Sequence, residues 1–160
     1  MTAVPVTAVI VFVLSDGTVG RLQLYGEPTD ERIQAALDKM VFPGGLKVIR
    51  WRRTASVDDF PHADAFKGAW RDDGEKIYID MPKAREIDRD LRRAARAPLL
   101  KALDVEAIKA LASGDQARLR EVETTKQALR DVTADPAIEA AQTPEALKLV
   151  WPAVLTETPA

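Results

Sequence analysis

The chain contains no cysteine, so disulfides, thiolate nucleophiles and cysteine-based zinc sites are excluded, and the fold must hold without covalent staples. Histidine occurs once, at His62, with no second His or Glu at ligand spacing. With one histidine a serine triad is not expected, and His62 reads as a solvated loop residue rather than a metal ligand or general base. An excess of one charge is also missing. The 23 basic side chains face 25 acidic ones, a net charge of -2, whereas general nucleic-acid binders are usually strongly basic. Long hydrophobic runs are absent too. Residues 8–14 form the longest apolar run, too short to span a bilayer and without the basic start or cleavage site of a signal peptide. A cytosolic protein with no membrane partner is expected.

Motifs that carry chemistry fail in turn. Gly44-Gly45 follows a helical stretch, with no strand leading in and no Lys-Ser or Lys-Thr helix leading out, so it terminates a helix instead of cradling phosphate. Asp72, Asp73, Glu75 and Asp80 lack the alternating spacing of a twelve-residue calcium loop. Ser15, Ser56 and Ser113 sit in no nucleophile elbow. No catalytic residue, cofactor or metal is expected, and the chain reads as a non-enzyme.

What is present is a real core. With 46% hydrophobic residues over 160 positions the chain can bury one, yet it is short for two fully independent domains. Residues 4–14 are rich in Val, Ile, Phe and Thr, Ser15-Asp16-Gly17-Thr18 supplies a turn, and residues 19–25 alternate. This predicts a β-hairpin whose first strand is central or covered on both faces. Glu27-Pro28-Thr29 then turns into a helix over 30–40, with Ile33, Leu37 and Met40 or Ala36 inward, until Phe42-Pro43-Gly44-Gly45 breaks it before a third strand over 47–53. Residues 1–60 therefore read as a small α+β unit. Residues 65–70 and 76–79 flank an Asp-Gly turn, so 61–80 reads as a β-hairpin connector with Trp70 and Tyr78 as its packing residues.

Residues 81–160 read as a helical hairpin followed by short helices. Asp80 and Pro82 suit a helix start, an apolar stripe runs through Ala84, Ile87, Leu91 and Ala94, and after Pro98 it resumes through Leu100, Leu103, Ala107 and Leu111. Ser113-Gly114-Asp115 turns the chain, and Leu119, Val122 and Leu129 mark the return helix, with Lys126 interrupting. Asp135-Pro136 and Thr143-Pro144 each predict a short capped helix, and residues 153–160 are expected to fray unless a neighbour holds them. The expected fold class is α+β: a small N-terminal antiparallel sheet with one helix, a β-hairpin connector, then a C-terminal antiparallel helical hairpin with two short helices.

Basic side chains mark two candidate partner surfaces. Arg50, Trp51, Arg52 and Arg53 combine guanidinium groups with an indole, which suits base stacking or phosphate; the alternative is a strand with Trp51 inward and solvated arginines beside it. Between Lys83 and Lys101 stand seven basic residues, including Arg85, Arg89, Arg92, Arg93 and Arg96, against Glu86, Asp88 and Asp90. Residues 102–160 hold six basic and ten acidic side chains. This charge asymmetry would align a partner or a second copy, with Trp151 joining the contact; the alternative is a solvated helix face.

The string Phe66-Lys67-Gly68-Ala69-Trp70-Arg71-Asp72-Asp73-Gly74, the Arg-rich helix, Leu103-Asp104-Val105, Ser113-Gly114-Asp115 and Lys126-Gln127-Ala128-Leu129-Arg130-Asp131-Val132-Thr133 together resemble small proteins encoded in the tail gene clusters of tailed phages and prophages. The Gln-Ala-Leu-Arg-Asp element before a proline is similar to the C-terminal signature of tail-fibre assembly proteins and tail assembly chaperones. The resemblance covers residues 66–151. It implies protein-protein work in virion assembly, in the host cytoplasm or in the virion itself, with tail, fibre or head proteins as partners and no catalytic set. The alternative function is a phage nucleic-acid-associated protein using the basic strand and the Arg-rich helix. If the helix serves a partner, reversing Arg89, Arg92 and Arg93 to Glu should leave the monomer folded.

Overall fold

Residues 8–14 of strand β1 (Val6–Leu14) are apolar on both faces, which suits a strand covered on both sides. In the computed structural model, which describes residues 6–26, 28–54 and 56–156, β1 is the centre of an antiparallel sheet ordered β2-β1-β3, with β2 at Val19–Tyr25 and β3 at Val48–Thr54. The expected strand start at Val4, the turn residue Glu27 and residues 157–160 lie outside the described residues. The architecture is α+β, and the chain divides into two compact units, Met1–Asp80 and Met81–Ala160.

In the first unit, Ala8, Ile10, Phe12 and Leu14 pack with Ile33 and Leu37 of helix α1 (Asp30–Asp38). Thr29 caps that helix by accepting from the Arg32 backbone N–H, and Asp30 and Glu31 complement its positive end. The helix stops at Asp38, so of the two residues offered for the third inward position Met40 is exposed and Ala36 is half-buried. Phe12 lies opposite Gly20 on β2, where a Cβ would sit 2.1 Å from the Phe12 ring; only glycine fits beneath it.

The other face of β1, with Val9, Val11 and Val13, packs with Val19 on Phe60 and Trp70. Here one expectation is corrected. Residues Asp64–Ala69 form a 3-10 turn, not a strand, and only β4 (Trp70–Asp72) pairs with β5 (Ile77–Ile79). Ala63, Phe66 and Ala69 are all buried, and their spacing of three matches the period of a 3-10 turn, whereas a strand would send alternate residues to opposite sides. Tyr78, expected to pack, is exposed, because β5 turns Ile77 and Ile79 toward the sheet. Residues 61–80 thereby contribute to the core of the first unit.

In the second unit, α2 (Met81–Ser113) and α3 (Gln116–Asp131) form the antiparallel helical hairpin. Gly114 takes the left-handed conformation the turn requires, with φ +73°, and Asp115 caps α3 through the Arg118 N–H. α2 runs unbroken through Pro98. That proline removes the donor for the Ala94 carbonyl on a side where both residues are exposed, so water can serve it. Leu103, Ala107, Val122 and Leu129 form the seam, and Lys126 pairs with Asp104 at 2.9 Å and Glu123 at 3.1 Å, which raises its pKa.

The stripe itself is corrected at three places. Leu91, Ala94 and Leu111 are exposed, while Asp88, Arg92 and Ala110 are buried. Helices α4 (Pro136–Ala140) and α5 (Pro144–Leu149) begin at the expected Asp135 and Thr143 caps. The segment expected to fray unless a neighbour holds it is held up to Thr156: Ala153–Leu155 forms a 3-10 turn, and Val154 and Leu155 pack on the hairpin seam. Among the described residues no helix is long and apolar enough to cross a membrane.

Candidate interaction surfaces

The alternation of β3 sorts its basic run onto two faces. Arg50 and Arg52 stand opposite Val13 and Val11, and Trp51 and Arg53 stand opposite Phe12 and Ile10, so the pairs point to opposite sides of the sheet. On the first side both guanidinium groups converge on Asp72, whose carboxylate is almost wholly buried. Arg50 Nη1 lies 3.0 Å from Oδ2, and Arg52 donates to Oδ1 from Nε at 3.1 Å and from Nη2 at 2.7 Å. Arg50 also donates to the Asp72 backbone carbonyl. On the second side Trp51 Nε1 donates to Gln34 Oε1 at 2.9 Å, and Arg53 Nη2 donates to Pro28 O at 2.9 Å and Asp30 Oδ1 at 2.7 Å. Each arginine therefore ties β3 to a neighbouring element, and the Trp51 indole is partly buried against the α1 core. The strand is not an open stacking platform: Trp51 turns inward, as the alternative reading has it, while Arg50 and Arg53 stay nearly half exposed, at 45% and 46%, and are ion-paired within the chain.

The Arg-rich helix is turned inward to a greater degree. Arg85, Arg89, Arg92 and Arg96 recur at steps of four, three and four, the spacing of one helix face. Three helix C-termini converge on them. The last carbonyls of any helix have no partner within it and carry the negative end of its dipole, so a guanidinium there both satisfies an acceptor and complements the field. Arg96 Nη1 donates to Arg130 O at 2.7 Å near the end of α3, and Arg92 Nη1 to Val132 O at 3.0 Å. Arg85 donates from Nε to Ile138 O at 3.2 Å and from Nη2 to Ala141 O at 2.8 Å, closing α4. Arg92 Nη2 donates to Val150 O at 2.9 Å, closing α5. Arg89 reaches Thr133 O at 3.4 Å and the Glu139 carboxylate, and that contact holds Glu139 below the usual carboxylate range.

Arg92 and Asp88 stand at the centre. Neither is measurably solvated: Arg92 is 0% and Asp88 1% exposed. Burial pushes the Asp88 carboxyl up, and the Arg92 charge beside it opposes that shift. Asp135 adds a second acid 3.6 Å from Arg92, and the Trp151 ring lies under the guanidinium at 5.7 Å. Trp151 is thus a packing residue of this cluster. Of the stripe's arginines offered to a partner, Arg93 alone points outward, with Asp90 2.5 Å away.

An open apolar surface lies on the far side of α2. Val105 is 50%, Ile108 66% and Leu111 59% exposed, three apolar side chains at steps of three. Sequence reasoning assigned Leu111 to the seam and passed over the other two. For those two the signal was available: Leu103, Ala107 and Ala110 already complete an inward stripe, and Val105 and Ile108 lie roughly opposite its centre, whereas Leu111, about 40° from Ala107 at 100° per residue, lies at the edge of the seam. Among the described residues no group of His, Asp and Glu is arranged to hold a metal ion, and His62 is exposed. No family model, curated protein or solved structure matches the chain.

Proposed function

We propose that the chain is a non-enzymatic member of a tailed-phage assembly, a virion structural protein or assembly chaperone of the tail or tail fibre that acts through protein-protein contacts. The observation that carries this reading is the outer face of α2, where Val105, Ile108 and Leu111 stay exposed on a helix of 33 residues. Contiguous exposed apolar side chains flanked by charge mark contact surfaces. The resemblance of residues 66–151 to proteins of phage tail clusters supplies the class of partner: a tail, fibre or head component. Such a protein would work in the host cytoplasm during assembly, whether or not it stays in the particle.

Protein contact is favoured over nucleic-acid binding because Arg50, Arg52, Arg85, Arg89, Arg92 and Arg96 already hold acceptors within the chain. The test is quantitative mass spectrometry of purified particles, together with capture of the tagged chain from producing cells. Stoichiometric presence in the particle, or capture of a tail, fibre or head component, supports the proposal. Absence from particles, with none of those components captured, overturns it.

A further inference from the structure

We infer that the groove between α2 and α3 is a docking site for a short, uncharged, proline-led aliphatic segment of a partner protein, and that the chain's own residues 152–156 occupy it as an internal stand-in. The ligand chemistry is read from that occupant. Ala153–Leu155 forms a single 3-10 turn that touches both helices. Val154 and Leu155 pack on the seam of Leu103, Val122 and Leu129, whose flanking Leu99, Leu100 and Leu119 are themselves only partly buried. Two helices alone bury only the line along which they meet, so these flanking leucines need a third apolar layer.

The manner of attachment separates this turn from the rest of the C-terminal segment. Up to Val150 the segment is fastened by guanidinium groups: Arg85, Arg89 and Arg92 hold carbonyls of Thr133, Ile138, Ala141 and Val150. Beyond Val150 that fastening stops. Leu155 N–H donates to Pro152 O at 3.1 Å, and the Thr156 N–H and hydroxyl donate to Ala153 O at 2.8 and 2.7 Å. Among the described residues no hydrogen bond runs from 152–156 to α2 or α3. The turn is held on the groove by apolar contact alone, through two side chains that remain partly exposed. It carries no charge, and Pro152 fixes its entry at φ -69°. An attachment of this kind opens locally, because lifting it uncovers few apolar atoms and strands no buried polar group. The tether resists a competitor by keeping the turn at an effective concentration of about millimolar, so an outside segment enters when it offers the same aliphatic pair with more contact. This groove is separate from the outer face of α2, and it is tested on purified protein, apart from the assembly reading.

The probe is a fluorescently labelled peptide of residues 151–156, added to the full chain. Val154→Asp with Leu155→Asp empties the groove, and this variant should bind the peptide saturably and at least about tenfold more tightly than the parent, in which the tethered turn competes. A control peptide with aspartate at both aliphatic positions should not bind. Because the chain has no cysteine, Leu155→Cys reports the turn in an otherwise intact molecule. Its thiol labelling should accelerate severalfold when the peptide is added, since the peptide takes the groove and leaves the turn outside. No saturable binding by the folded double variant, equal binding by variant and parent, equal binding of the control peptide, or Leu155→Cys labelling unchanged by peptide would overturn the inference. The thiol measurement needs only the conservative variant, so it decides the matter if the double variant does not fold.

Discussion

Arg92 Nε donates to Asp88 Oδ2 at 2.7 Å, one helical turn back along α2, and the buried guanidinium goes on to the carbonyls of Val132 and Val150. One side chain thus joins the ends of α3 and α5 to α2. A buried ion pair gains little net stability from Coulomb attraction, since desolvation offsets most of it, but removing one partner leaves an uncompensated charge inside. The pair is best understood as fixing where the helix ends go.

Arg92→Ala should therefore cost the second unit about 3–5 kcal/mol, by stranding Asp88 and freeing two buried carbonyls. Removing Asp88 as well, in Asp88→Leu with Arg92→Met, should cost less than the sum of the two single changes, because no lone charge remains. Urea denaturation of the parent, Asp88→Leu, Arg92→Met and the double variant measures this. Strict additivity would show that the two groups are not coupled.

Asp72 holds two guanidinium groups in the first unit. Asp72→Ala should lower stability by about 2 kcal/mol, the scale of hydrogen bonds to a charged group. It should also release Arg50 and Arg52, so that retention on a DNA column appears and fades with added salt. Retention identical to that of the parent would mean that Asp72 does not mask these arginines.

At Gly20 the backbone is ordinary and the constraint is space alone. Gly20→Ala drives a methyl into the Phe12 ring and should cost about 1–3 kcal/mol, the range for overpacking. Adding Phe12→Leu should recover part of that loss in a thermal melt. If the double variant melts below both single variants, the clash is not the cause.

Glu139 carries a pH signature. Its hydrogen bond from Arg89 holds the folded-state pKa below the usual 4.5, so its contribution is complete above pH 4.5 and is lost as pH falls through the folded value. The gap in melting temperature between the parent and Glu139→Gln should be present at neutral pH and shrink in acid. A gap that is unchanged through the acid range would contradict the pairing.

The parts of the fold legible in the sequence were those governed by local rules. The turn at Ser113-Gly114-Asp115, the caps at Thr29, Asp115, Asp135 and Thr143, and the doubly covered β1 follow from glycine, capping and periodicity. What escaped depended on remote partners. Arg85, Arg89, Arg92 and Arg96 have the spacing of an apolar seam, but their inward direction depends on carbonyls 33 to 58 residues away. Hydrophobicity alone assigned that face to solvent or to a partner. The tail followed the same logic: Val154 and Leu155 lack a period of their own, and the neighbour that holds them, the hairpin seam, was not nameable from the sequence. The run Ala63, Phe66, Ala69 was missed because a spacing of three over so few residues resembles a strand with gaps.

These contacts also revise the expectation that reversing Arg89, Arg92 and Arg93 together would spare the fold. The arginine stripe of α2 holds the second unit from inside. Thermal unfolding of Arg92→Glu beside Arg93→Glu tests it most directly, because adjacent residues receive the same charge change on opposite sides of the stripe. Arg93→Glu should melt with the parent, while Arg92→Glu, with two acids buried together, should unfold far earlier or fail to fold. Equal melting of the two variants would contradict it.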